Sequence, residues 1–409
     1  MRKGKESKPH IGIYGRRNNG KSSLINMLAG QDIAIVSDFA GTTTDPVKKS
    51  FEITGFGPVI LIDTAGIDDK GELGEKRIQK TLDSIKTIDL AILVLAGNVF
   101  GNFEEQLTIQ FKRYDTPFVV VHNKSDIQKV NHQTKNKVRD FSKIDVLELS
   151  TLSNKNSESL IELIKNTIPE SAFKNPSLVG DLLKYGDIVL LITPIDVEAP
   201  AGRLILPQVQ AIRDVLDNDA VAIVLKEREV DSFLRKTAIK PKLAITDSQI
   251  FTKADAMIPR DVMLTSFSIV LARYKGDFDN YLKGTPKISE LKDDDRVLML
   301  ESCTHHVSCD DIGRVKIPRW LSNYTGKNLK YDIVSGLNNL PVEITEYALV
   351  VQCGGCVITR KQLINRLKPA IDAGVPVTNY GMAIAYVQGI YSRAIAPFVK
   401  LEENSLEYL

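Results

Sequence analysis

Gly15-Arg16-Arg17-Asn18-Asn19-Gly20-Lys21-Ser22 is the stretch that decides the fold. It has the Gly-x-x-x-x-Gly-Lys-Ser spacing of a phosphate-binding loop. A short apolar run at 11–14 predicts a strand before it, and a helical pattern at 22–28 follows it. In that context the glycines let backbone N–H groups curl around a β-phosphate, and the helix dipole adds positive potential. Lys21 is expected to reach the β- and γ-phosphates, and the Ser22 hydroxyl to ligate Mg2+. Gly15, Asn18, Asn19, Gly20 and Ser23 complete the expected cradle.

Three further elements follow in order. Asp63-Thr64-Ala65-Gly66 closes a predicted strand at 59–62; Asp63 would support Mg2+, and the Gly66 N–H would sense the γ-phosphate. Asn123-Lys124-Ser125-Asp126 closes another at 118–122. Asp126 can accept from guanine N1–H and the exocyclic amine, a pattern adenine lacks. Ser150 and Thr151 follow the strand at 146–149, in the usual base-contacting turn. Gly41-Thr42-Thr43-Thr44-Asp45 stands where a first switch loop belongs, with Thr43 as the second expected Mg2+ ligand. The ordered set predicts GTP binding and hydrolysis, with Lys21, Thr43, Asp63 and Gly66 carrying the chemistry. Ile67 stands where a Gln would orient water. Glu72 and Glu75 read either as that missing water ligand or as surface charges on a helix.

At 409 residues the chain is too long for one ordinary core. The expected fold is α/β in three domains. Residues 1–172 alternate strands (11–14, 59–62, 90–95, 118–122, 146–149) with helices such as 157–168. They predict a P-loop GTPase with a Ras-like, mostly parallel sheet. Pro169, Pro176 and Gly180 mark 169–180 as a linker. Residues 173–263 predict a central α/β domain with strands at 188–193, 221–225 and 243–246 and a helix at 208–216. It has no cysteine and no catalytic cluster, so self-association is its expected task. Residues 264–409 predict an α/β metal-cluster domain: a helix at 266–281, strands at 296–300, 331–334, 347–352 and 382–386, and a helix at 359–367.

All four cysteines fall in that last third. Cys353-Gly354-Gly355-Cys356 lets two thiolates reach one centre, and its glycines relieve the turn. Cys303 arrives from a different strand. Three thiolates and an exchangeable fourth ligand suit a [4Fe–4S] cluster; His305, His306, Cys309 and Asp310 are candidates for that ligand. Structural zinc fits the same cysteines equally well on chemistry alone. A redox dithiol would need neither Cys303 nor the histidines. The formal charge of +2 gives no global reason to expect nucleic acid. No apolar run reaches the ~18 residues of a membrane helix, and the start Met-Arg-Lys-Gly-Lys-Glu does not open a signal peptide. A cytoplasmic setting is expected.

The N-terminal motifs resemble the TrmE/Era branch of bacterial GTPases. That resemblance implies that Asn18 coordinates a potassium ion, whose charge would replace an arginine finger and make hydrolysis potassium-stimulated. The whole chain resembles the [FeFe]-hydrogenase maturation GTPase family HydF. Cys303, His305, Cys353 and Cys356 match its pattern, whereas the His that commonly precedes the Cys-x-x-Cys pair is Gln352 here. The resemblance implies a homodimer assembled through the central domain and a scaffold carrying a [4Fe–4S] cluster. Such a scaffold takes a di-iron precursor from radical-SAM maturases and delivers it to apo-[FeFe]-hydrogenase. The main rival is an RNA- or ribosome-directed GTPase with a structural zinc site. Near-neutral charge and the lack of a KH-type Gly-x-x-Gly in a basic surround stand against it. A GTPase that loads a single metal ion is the second rival.

Overall fold

The computed structural model describes residues 8–29, 47–53, 57–64, 72–152, 156–169, 172, 177–194, 204–302, 311–336, 338, 340–356 and 358–399. The chain divides into two compact units, Met1–Asn175 and Pro176–Leu409.

The first unit runs β1 (His10–Tyr14), α1 (Lys21–Ala29), β2 (Val47–Ile53), β3 (Gly57–Asp63), α2 (Glu72–Ser84), β4 (Leu90–Leu95), α3 (Asn102–Arg113), β5 (Phe118–His122), α4 (His132–Ser142), β6 (Val146–Glu148) and α5 (Ser157–Thr167). Its strands form one sheet in the order β2-β3-β1-β4-β5-β6. All neighbours are parallel except β2, which lies antiparallel to β3 from Val47↔Asp63 to Ile53↔Gly57. β1, β4 and β5 are buried at every residue, as continuous apolar runs must be when both sheet faces are covered. One face packs Ile11, Ile13, Leu24, Ile92 and Val94; the other packs Tyr14, Ile62, Leu93 and Phe111.

The second unit begins with β7 (Ile188–Ile192), α6 (Leu206–Asp217), β8 (Val221–Leu225), α7 (Val230–Thr237), β9 (Leu243–Thr246), α8 (Phe251–Met257), β10 (Met263–Ser266) and α9 (Phe267–Lys275). It continues with α10 (Phe278–Gly284), β11 (Arg296–Glu301), α11 (Ile317–Thr325), β12 (Lys330–Ser335), β13 (Tyr347–Gln352), α12 (Arg360–Asp372), β14 (Val377–Asn379), α13 (Tyr380–Val387) and α14 (Tyr391–Ile395). Two parallel four-stranded sheets result, ordered β10-β9-β7-β8 and β12-β11-β13-β14. One buried apolar cluster runs through both: Leu190, Ala244, Phe251 and Ile269 share it with Leu298, Val350, Leu367 and Met382.

Three expectations are corrected. A domain start at 264 falls inside β10, which pairs with β9 from Met263↔Leu243 to Ser266↔Thr246; the earlier sheet therefore keeps a fourth strand and α9. The helix expected at 266–281 breaks into α9 and α10. At Gly276 a Cβ would lie 2.3 Å from Tyr281 Cε2 and 2.6 Å from the Ala272 carbonyl oxygen, and Asp277 then caps α10 by accepting from the Asn280 N–H (3.3 Å). The apolar run at 382–386 is not a strand but the middle of α13. Met382, Ala383, Ile384 and Ala385 are all buried, and a helix apolar on every side shows no period to read. No described helix is long and apolar enough to cross a membrane.

Candidate functional site

The phosphate loop leaves β1 between β4 and the turn after β5. Gly15 has φ +147°, and a Cβ there would meet the Val94 carbonyl oxygen at 2.4 Å. Gly20 has φ +87°, and its Cβ would meet Asn123 Nδ2 at 2.3 Å. Neither place tolerates a side chain. Asn19 Nδ2 donates to the Val94 carbonyl (2.8 Å), and Asn123 Nδ2 donates to the Asn19 carbonyl (3.0 Å). Asn123 Oδ1 accepts from the Thr151 N–H (3.3 Å). One fully buried carboxamide thus joins the phosphate loop to the base-recognition motif and to the turn after β6. Asp126 Oδ1 accepts from the Ser150 hydroxyl (2.6 Å), and the Ser125 N–H donates to the Leu149 carbonyl (3.0 Å). Lys124 holds a left-handed backbone, φ +60°.

Lys21 Nζ folds back on its own loop, donating to the Gly15 (3.0 Å) and Arg16 (2.9 Å) carbonyls. The Ser22 hydroxyl donates to Asp63 Oδ2 (3.0 Å), so one expected Mg2+ ligand already touches the carboxylate expected to support the ion. Asn18 is exposed at φ +62°, and Ser23 is exposed on α1. Thr43, Gly66 and Ile67 lie outside the described residues; of Glu72 and Glu75 only their place in α2 is described. One contact escaped the motif reading. The Arg16 guanidinium makes two bonds to the fully buried Glu104 carboxylate (2.8 and 3.0 Å), whose Oε2 also accepts from the Gly101 N–H (2.8 Å). A buried glutamate at the start of α3 therefore steadies the phosphate loop, and nothing in the spacing of the motif announces it.

The second site lies in the sheet β12-β11-β13-β14. From β11 the chain winds to β12 on one side, then returns to β13 on the other. The carboxyl ends of β11 and β13 flank the switch point where open parallel sheets bind ligands. Cys353 follows β13 directly, and its N–H donates to the Leu300 carbonyl of β11 (2.9 Å). Its Sγ accepts from the Ser302 N–H (3.1 Å) and lies 3.0 Å from the Ser302 hydroxyl. Gln352 Nε2 donates to the same hydroxyl (3.2 Å) and stands 3.5 Å from the sulfur. Burial pushes the Cys353 thiol up, against the Ser302 and Gly355 N–H groups and the Arg366 charge, which favour thiolate.

The turn between the cysteines is held from below. Gly355 takes φ +63°. Lys275, the buried last residue of α9, donates to the Gly355 (3.1 Å), Cys356 (3.2 Å) and Ile358 (3.0 Å) carbonyls. Thr359 then caps α12, accepting from the Gln362 N–H (3.2 Å), so a helix N-terminus follows the pair as expected. Neither Lys275 nor Ser302 was legible as a site residue, since a lysine ending a helix reads as solvated. Cys303, His305, His306, Cys309 and Asp310 lie outside the described residues; Cys303 follows Ser302 directly in the chain. Among the described residues no three His, Cys, Asp or Glu side chains converge.

Comparison with known proteins gives three matching segments, one in the first unit and two in the second. Residues 178–276 match the hydrogen maturase F dimerization domain, and residues 279–397 match the hydrogen maturase F tetramerization domain. Their junction falls where α9 ends and α10 begins. Residues 10–124 match a family described as 50S ribosome-binding GTPase. The chain is 36% identical over 166 residues to the tRNA modification GTPase MnmE of Streptococcus pneumoniae, covering 39% of this chain and 34% of that protein. It is 36% identical over 168 residues to GTPase Der of Wolinella succinogenes, covering 40% and 35%. The chain spans about a third of the length of these relatives. Among solved structures, Aquifex aeolicus Era bound to GDP and AlF4− is similar at 19% identity, over 56% of this chain and 98% of that one, with a TM-score of 0.34. The N-terminal unit is a GTPase domain.

Proposed function

Since the chain belongs to the HydF-like GTPases, with that family's two assembly domains behind its GTPase domain, we propose that it is the GTP-driven scaffold of [FeFe]-hydrogenase maturation. In this reading it holds a [4Fe–4S] cluster and passes a di-iron precursor from radical-SAM maturases to apo-hydrogenase, in a reducing cytoplasm. The observation that supports it is the setting of Cys353. The sulfur sits at a sheet switch point, accepts a backbone N–H, and lies against the residue that precedes Cys303. N–H donors aimed at a half-buried sulfur suit a thiolate ligand, which desolvation would otherwise keep protonated.

Cys303, Cys353 and Cys356 would hold the cluster, with His305 or Asp310 as the weaker fourth ligand. When bound, the cluster supplies an iron with an exchangeable position. The chain's own part is to fix the turn through Lys275 and to donate from Ser302. In the other unit GTP would draw Lys21 Nζ off its loop carbonyls onto the β- and γ-phosphates. Mg2+ would join Ser22, Thr43 and the support of Asp63, and Asn18 would face K+. Asn123 would pass the occupancy of the phosphate loop to the guanine-binding turns. Self-association belongs to the two assembly domains, and β8 supports an edge-to-edge route: it is an outer strand with Val221 and Val224 exposed.

Anaerobic purification tests the cluster. Brown, iron-bearing protein is expected, and Cys303→Ala, Cys353→Ala and Cys356→Ala should each remove most of the iron while Cys309→Ala removes little. Colourless protein holding zinc would favour the RNA- or ribosome-directed reading instead. If Cys309→Ala empties the site as fully as Cys353→Ala, four thiolates close the cluster and the exchangeable position is wrong.

A further inference from the structure

The ion pair of Arg16 with Glu104 is suited to fixing direction more than to adding strength. The Glu104 carboxylate is fully buried, and the guanidinium meets it side-on, Nε to Oε1 at 2.8 Å and Nη2 to Oε2 at 3.0 Å. The Phe103 ring stacks on the same guanidinium, its centroid 5.0 Å from Arg16 Cζ. A buried ion pair seldom adds net stability over well-packed apolar groups of similar volume. A two-bond fork, however, sets the arginine in both distance and plane.

On the loop side, the fork holds the main chain of Arg16. Its carbonyl accepts from Lys21 Nζ (2.9 Å) and from the Asn19 N–H (3.4 Å), so it closes the turn whose N–H groups face a phosphate. On the other side, Glu104 is the third residue of α3, and its Oε2 also accepts from the Gly101 N–H (2.8 Å). The segment before α3 is tied down through Asn98. The Asn98 N–H donates to His122 Nε2 (3.3 Å), its Nδ2 to the Lys129 carbonyl (3.0 Å), and its Oδ1 accepts from the Asn131 N–H (2.8 Å). His122 directly precedes Asn123. The anchor of the phosphate loop is thus fastened to the strand end that carries the base-recognition motif.

We infer that Glu104 is a positioning residue for nucleotide binding, acting through Arg16 to keep the phosphate loop in its nucleotide-binding shape. Fully buried, Glu104 does not meet the nucleotide itself. Without the fork the loop spends less of its time in that shape, and the apparent dissociation constant rises as that fraction falls. GDP and GTP share the β-phosphate that the loop cradles, so both lose affinity together. Hydrolysis of bound GTP suffers less, because the bound nucleotide selects the loop's proper shape.

The test titrates the full chain with fluorescent methylanthraniloyl-GDP and with the matching non-hydrolysable GTP analogue, at a temperature where circular dichroism shows each variant folded. Glu104→Gln keeps the shape of the side chain and loses its charge; Arg16→Met keeps the stem and loses the fork. Each should raise both dissociation constants about tenfold, as if the loop held its shape about a tenth as often. The KM for GTP should rise by a similar factor, with a smaller change in kcat. The double variant should lose no more than the worse single one, because one contact carries both effects. Arg16→Lys keeps the charge without the fork and should fall between parent and Arg16→Met. Affinities within about twofold of the parent in folded Glu104→Gln would overturn the inference, leaving the pair only to hold α3 in place. So would a loss confined to the GTP analogue, which would put Arg16 on the γ-phosphate, and so would losses that add in the double variant. Should Arg16→Met fail to fold with its carboxylate partner left alone in the interior, Glu104→Gln and Arg16→Lys decide by the same measurements.

Discussion

Lys275→Met removes the ammonium that three carbonyls of the cysteine turn share, at 3.1, 3.2 and 3.0 Å. Hydrogen bonds to a charged group contribute roughly 1.5–3 kcal/mol each, and carbonyls left bare in the interior keep their full desolvation penalty. Against that, the ammonium no longer needs to be desolvated, and the Met side chain buries apolar surface in its place. The net loss should be about 3 kcal/mol from the second unit. Trp320, the chain's single tryptophan, lies half-buried on α11 of that unit. Its fluorescence in urea therefore reports the second unit alone. With a slope of about 3 kcal/mol per molar, the urea midpoint should fall by about 1 M. The variant should also hold iron less tightly than the parent, because the turn that presents Cys353 and Cys356 is loosened. A midpoint within about 0.3 M of the parent would refute the reasoning. It would mean that the carbonyls find water or each other when the ammonium is gone.

Lys21→Ala should abolish GTP hydrolysis yet leave iron uptake intact, since the phosphate loop and the cysteine turn lie in separate units; loss of iron in this variant would sink the division of labour. Asn18→Gly keeps the left-handed backbone at φ +62° while deleting the carboxamide. The parent should hydrolyse GTP faster in potassium than in sodium, and the variant should lose that difference; an unchanged ratio would remove Asn18 as the cation ligand. His10 is held neutral, its pKa lowered from 6.5 to about 4 by burial first and by Lys48 second. The unfolded chain takes up that proton below 6.5 and the folded one only near 4, so stability is complete above 6.5 and is lost as pH falls through that window. Between pH 7 and pH 5 the first unit should lose about 2 kcal/mol that His10→Gln does not lose. Amide exchange of β1 and β4 measures the difference, and equal losses in both proteins would count against a neutral His10.

The phosphate loop, the strands that carry it and the turns after β5 and β6 were readable because each motif follows an apolar run of strand length. β2 was missed: Val47–Ile53 carries two lysines, a serine and a glutamate, the composition of an edge strand that pairs on one side only. The break at Gly276-Asp277 does have a local signature, a glycine ending one helix and an aspartate capping the next. The amphipathic pattern on either side hides it. α13 read as a strand from its apolar run, because burial on every side erases its helical period. At the site, Cys353 and Cys356 announce themselves by spacing. Ser302 and Lys275 reach the cysteine turn through tertiary placement that no spacing encodes.

α9 starts on the last strand of one sheet and finishes with its ammonium inside the cysteine turn beyond the other. The buried cluster beneath it is common property of both sheets. Nature therefore cannot shuffle the two halves of the second unit like beads on a string. A cut at residue 277 would lay bare Ile269 and Ala272 on one fragment and Tyr281, Val350 and Met382 on the other. Any change to the first half of this unit must therefore keep the foundation on which the cysteine turn of the second half rests.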